Sequence, residues 1–122
     1  MSRQDFKHVE VASAIGLGYA AFDRVRFVQA TMNDAQLQRE VLGLFISQLT
    51  ETRQRLKAGI FSSEDRKFMS HNLRGAASAV GALQIEELAK TWEAVSFDPM
   101  VLDALFEQAE NAFLVESKPF TS

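Results

Sequence analysis

The stretch from Ser62 to Gly81, Ser62-Ser63-Glu64-Asp65-Arg66-Lys67-Phe68-Met69-Ser70-His71-Asn72-Leu73-Arg74-Gly75-Ala76-Ala77-Ser78-Ala79-Val80-Gly81, carries its own start, face and stop. Ser62 or Ser63 can cap a helix whose first turn holds Glu64 and Asp65, where the helix dipole favours anions. Gly81 is placed to end it after Val80. Turned by about 100° per residue around Met69, the helix gathers Leu73, Ala76 and Val80 into a buried stripe, with Ser62 and Asp65 extending the line. Lys67, His71, Arg74, Gly75 and Ser78 fall on the opposite side. The sequence therefore predicts an amphipathic helix with a histidine in the middle of its solvent face.

The flanking sequence follows the same period. Phe22, Val25, Val28 and Met32 lie at helical spacing between Ala21 and Met32, and Asn33-Asp34 supplies a stop and a new cap. From Ala35 to Ala58, Leu37, Val41, Leu44, Phe45, Gln48, Thr52 and Leu56 make a second stripe, with Arg39, Glu40, Glu51, Arg53 and Arg55 mostly off it and Gly59 as its terminator. Ile85, Leu88, Trp92 and Val95 share a face between Leu83 and Val95. Asp98-Pro99 restarts a helix that turns Leu102, Leu105, Phe106, Ala109 and Phe113 inward and fades before Pro119. Amphipathic helices joined by a few residues pack as antiparallel neighbours. The expectation from period and connections is an all-α, up-and-down bundle over residues 21–118. Residues 1–20 are expected to form an arm or short helix.

Composition bounds the chemistry. The chain has 122 residues, 47% hydrophobic and 24% charged, which suits one globular domain. It has no cysteine, so thiol catalysis, Cys-ligated zinc and disulfides are excluded. Lys and Arg total 13 against 16 Asp and Glu, the wrong balance for neutralising nucleic-acid phosphates. The run from Val11 to Phe22 is interrupted and diluted as a signal sequence, and no apolar run approaches the ~20 residues of a membrane span. A cytoplasmic setting is expected. His8 is far from His71 in sequence, and no H-E-x-x-H pattern or acidic run suggests a metal site.

The exposed face of the third helix is chemically specific. Lys67 and Arg74 stand one turn to either side of His71. Glycine inside a helix costs about 1 kcal/mol relative to alanine, and an outward Gly75 has nothing in its own domain to pack against. A bare backbone there admits close approach by another molecule.

The run His71-Asn72-Leu73-Arg74-Gly75-Ala76-Ala77-Ser78-Ala79-Val80-Gly81-Ala82 resembles the phosphoacceptor motif of histidine phosphotransfer (HPt) domains, roughly H-x-L-K-G-[SA]-[SA]-x-x-[IVL]-G-A. The likeness extends over about residues 22 to 115, including Asp34 to Phe45 as the preceding long helix and Trp92-Glu93, where the family has an apolar residue followed by an acid. What the resemblance implies is an up-down-up-down four-helix bundle with an additional short N-terminal helix, presenting His71 as phosphoacceptor, through Nε2, between receiver domains. Such proteins have no kinase activity of their own. Histidine suits the relay because its imidazole is substantially neutral near cellular pH. Arg74 and Lys67 are the expected stabilisers of phosphoryl charge. Gly75, Ser78 and Glu64 are the expected partner contacts. Arg74 departs from the family's usual lysine; arginine keeps the charge but is bulkier and can bind phosphate in a bidentate way. The protein is expected to hold no cofactor, Mg²⁺ coming with the receiver domain. The partners that the resemblance implies are response-regulator receiver domains, with a hybrid histidine kinase as a further candidate; no nucleic acid or membrane is expected, and the protein is expected to act as a monomer.

Rival readings are weaker. The spacing Ala77-x-x-x-Gly81 echoes a helix-turn-helix, but the recognition segment Gln84 to Glu93 sets Glu86, Glu87 and Glu93 against Lys90 alone. A sensor-kinase dimerisation helix would have an acid after its histidine and a proline soon after; here Asn72 follows and the next proline is Pro99. A hydrolase triad has no support, since Glu64 and Ser78 each lie two turns from His71. The remaining alternative is a phosphorylation-silent HPt-like docking module.

Overall fold

A computed structural model describes residues 19–121. His8 and almost all of the expected arm over residues 1–20 lie outside the described residues. Those described form five α-helices and no strand: α1 (Arg24–Ala30), α2 (Ala35–Ala58), α3 (Ser63–Val80), α4 (Leu83–Ala94) and α5 (Pro99–Ser117), followed by a 3₁₀ turn at Lys118–Phe120. None of these helices is long and apolar enough to cross a membrane.

Each boundary has a local cause. The Asp23, Asp34, Ser62 and Asp98 side chains accept hydrogen bonds from backbone N–H groups of the first turns of α1, α2, α3 and α5, satisfying donors that a helix start leaves unpaired. At the far ends, Gly59 and Gly81 take left-handed φ values of 69° and 73°. Gly81 closes α3 in a Schellman arrangement: its N–H donates to the Ser78 carbonyl and that of Ala82 to the Ala77 carbonyl. A Cβ at Gly81 would lie 2.6 Å from the Asp23 carbonyl oxygen, while Asp23 N–H donates to the Gly81 carbonyl at 2.7 Å. This glycine therefore brings the chain entering α1 against the α3–α4 corner.

The four longer helices form a ring of neighbours, α2 with α3 and α5, and α4 with α3 and α5, the α3–α4 pair being the most extensive. Leu42, Leu49, Leu56, Leu73, Ile85, Leu88 and Leu102 fill the interior. Phe22, Phe27, Phe113 and Phe120 cluster through tilted and edge-to-face contacts, and Trp92 meets Phe61 and Phe106 edge-on elsewhere in the core.

Several sequence expectations need correction. The first helix starts at Arg24 and stops at Ala30, leaving Met32 exposed with a positive φ. The buried line of α2 is Gln38, Leu42, Phe45, Leu49, Thr52 and Leu56, so the predicted stripe was rotated and Leu44 is 72% exposed. On α3, Ala77 takes the fully buried place expected of Ala76, and Ser70 is buried beside Met69. Val95 lies past the end of α4 and is exposed. Arg53, read as lying off the core stripe, is only 14% exposed and pairs with Asp103 and Glu110 of α5. In each case apolarity marked the amphipathic helix, but the packing partner chose which flank was covered.

Candidate functional site

The site is built on α3 and supported by α4. At the start of α3, Asp65 N–H donates to Ser62 Oγ and Ser62 N–H donates to Asp65 Oδ2, both at 3.0 Å, a reciprocal capping box. The Ser62 backbone N–H, followed by the Ser62 hydroxyl and then Arg55, holds the Asp65 carboxyl below the usual carboxylate range. The helix then runs without a break to Val80. Met69, Leu73, Ala77 and Val80 anchor it to the core and thereby turn the other side outward.

His71 lies in the middle of that outer side, its side chain 66% exposed. Lys67 and Gly75 are exposed and Ser78 half-buried on the same side, and Glu64 is exposed in the first turn. A Cβ at Gly75 would meet nothing within 4 Å, so the domain itself makes no use of the missing side chain. These residues sit where the sequence put them. Arg74 is near the histidine as expected, but it is already engaged.

Its partner is Glu93. Arg74 Nη1 donates to Glu93 Oε2 at 3.0 Å. The other oxygen of that carboxylate stands 3.6 Å from His71 Nδ1, close approach just beyond good hydrogen-bond length. The position of Glu93 is fixed from both sides. Its neighbour Trp92 is buried, and Arg66 of α3 donates through Nη1 to the Trp92 and Glu93 carbonyls at 2.8 and 3.2 Å. Arg66 thereby serves the orphan carbonyls at the end of α4. Sequence reasoning assigned Glu93 no role beyond a resemblance and Arg66 none. The available signal was their spacing to His71 and Arg74, but only the rotation of α4 against α3 brings them together.

One further residue was missed. Phe68, one turn before His71, is 70% exposed, and with Met69, Asn72, Gln48, Thr52 and Arg55 it lines a groove of about 190 Å³ between α2 and α3. The larger open depression of about 830 Å³ along α2, from Arg39 to Gln54, shares none of the site residues. Among the described residues no group of three or more His, Cys, Asp or Glu could hold a metal ion. Lys67 makes no ion pair among them, so its ammonium is available to an incoming anion.

The arrangement is thus a largely exposed imidazole on one helix, with a carboxylate 3.6 Å from its Nδ1 and cations one turn to either side. No family model, curated protein or solved structure matches the chain, and the functional reading rests on the residues of this site.

Proposed function

We propose that the protein is a phosphorelay intermediate of the HPt kind, in which His71 accepts a phosphoryl group from a phospho-aspartyl receiver domain and passes it to another. The observation that carries this reading is an accessible imidazole beside a backbone left bare at Gly75, on the same side of one rigid helix. Glu93, close to Nδ1, favours the tautomer with its proton on that nitrogen. Nε2 then presents its lone pair outward. That pair attacks phosphorus in line, the bond from phosphorus to the aspartyl oxygen breaks, and the carboxylate leaves with the electrons. The reverse sequence at a second receiver returns the pair to Nε2.

Lys67, and Arg74 once released, lie within reach of the developing phosphoryl charge. Mg²⁺ belongs to the receiver in this reading, where it supplies charge neutralisation at the aspartate. Gly75 admits the receiver, and Glu64, Ser78 and Phe68 border its footprint. The setting is cytoplasmic, and the protein has no kinase activity of its own.

The second reading, a phosphorylation-silent docking module, draws support from one observation: Arg74 is committed to Glu93. A single experiment separates the two. Phosphorylated receiver domains, with Mg²⁺, are incubated with the native protein and with His71→Gln. Acid-labile, alkali-stable label on the native protein and none on the variant is the expected result. Binding of receivers without label on the native protein would overturn the relay and leave docking.

A further inference from the structure

Glu93 is shared between two groups that the relay would use differently. One carboxylate oxygen accepts from Arg74 at 3.0 Å, and the other stands 3.6 Å from His71 Nδ1. At rest Arg74 and Glu93 are paired with each other. A phosphoryl group on Nε2 brings roughly two negative charges on its oxygens, offset by one positive charge on the ring while Nδ1 keeps its proton, and the guanidinium then has two anionic claimants. Arg66, also on α3, is tied to the Trp92 and Glu93 carbonyls and cannot substitute. Lys67 alone remains uncommitted among the cations of this side of α3.

The geometry points to Glu93 as a discharge residue: by holding Arg74 away from phosphohistidine, it shortens the life of the loaded state and suits the site to passing phosphate on rather than storing it. This rests on His71 being the phosphoacceptor. Glu93 acts through Arg74 and is a positioning residue. Its electrostatic effect on a half-exposed group, across about one imidazole ring and in physiological salt, is worth about three- to tenfold in lifetime.

The test loads the protein with phosphoramidate, which needs no receiver. The Nε2 pair attacks phosphorus, the P–N bond of the reagent breaks, and ammonia leaves. During decay a water oxygen attacks phosphorus, the Nε2–P bond breaks with its pair returning to the ring, and inorganic phosphate departs. Phosphohistidine half-lives are measured by ³¹P NMR for the native protein, Glu93→Gln, Arg74→Gln and the double variant. Glu93→Gln is expected to lengthen the half-life about three- to tenfold, and most of that gain should vanish when Arg74 is also glutamine. An equal or shorter half-life in Glu93→Gln, or a gain of the same size without Arg74, overturns the proposal. Offering phosphorylated receivers to the same proteins separates the two levels. Label from phosphoramidate but from no receiver removes the relay role, while the half-lives still decide the role of Glu93. A native protein labelled at His71 neither by phosphoramidate nor by any receiver removes both.

Discussion

Replacing Arg53 with methionine withdraws one guanidinium from three carboxylates at once. Arg53 Nε donates to Asp103 Oδ1 at 2.8 Å and Nη1 to Glu110 Oε1 at 2.7 Å, while Nη2 lies 3.4 Å from Glu107 Oε2. The Asp103 and Glu110 side chains are only 7% and 11% exposed, whereas Glu107 is 58% exposed and contributes little. Asp103, through its hydrogen bond, holds the guanidinium charged more firmly than an ordinary arginine; burial opposes this, and Glu110 adds to it. Methionine would fill much of the same volume but leave two buried carboxylates without a counter-charge. Breaking a buried pair by removing one partner costs about 3–5 kcal/mol, a large share of the ~5–15 kcal/mol of a typical domain. The assay is urea unfolding followed by helical circular dichroism and by fluorescence of the single tryptophan, Trp92, which is buried. Coincident transitions would justify a two-state free energy. Adding Asp103→Leu and Glu110→Met should recover most of the loss, because an apolar set of similar volume often matches a buried ion network. A loss below about 1 kcal/mol in Arg53→Met would refute the reasoning, since it would mean that water already serves these carboxylates.

Gly75→Ala should stabilise the fold by about 0.5–1 kcal/mol, because the new Cβ meets nothing within 4 Å and the helix loses its least favourable residue. Phosphotransfer from a receiver should slow in the same variant, and a loss of stability in urea would contradict the open face. Asp65→Asn tests the cap of α3. The Asp65 carboxyl is held low by Ser62, so its contribution is present above the ordinary carboxylate range and is lost as pH falls through the depressed value. The gap in urea midpoint between native protein and variant should therefore be open at pH 7 and close below about pH 4. A gap unchanged by acid would assign the effect to something other than the Asp65 charge.

The parts of this protein legible in its sequence are those with causes only a few residues away. Ser62, Asp34, Gly59, Gly81 and Asp98-Pro99 set helix starts and stops through backbone groups within one turn, and the observed boundaries of α2, α3 and α5 follow them, although Ser62 and Asp65, expected to extend the buried line of α3, instead form its exposed cap. The outward placement of His71 and Gly75 was legible for the same reason, since Met69, Leu73 and Val80 define the buried side of α3 within their own helix. On α2 the reading slipped, because apolar residues there occupy a broad arc and Leu37, Val41 and Leu44 compete with Leu42 and Leu49 for the core.

What tertiary structure alone decided is which charges meet. Arg53 reads as a surface residue until α5 brings Asp103 and Glu110 from 50 and 57 positions away. Arg74 reads as a cation waiting beside His71 until the rotation of α4, set by buried Trp92 and by Arg66 on its last carbonyls, presents Glu93 to both. Local hydrogen bonds and helical period operate over a few residues and leave a pattern in the chain. A charge pair depends on angstroms between helices, and that distance exists only once the apolar faces have packed.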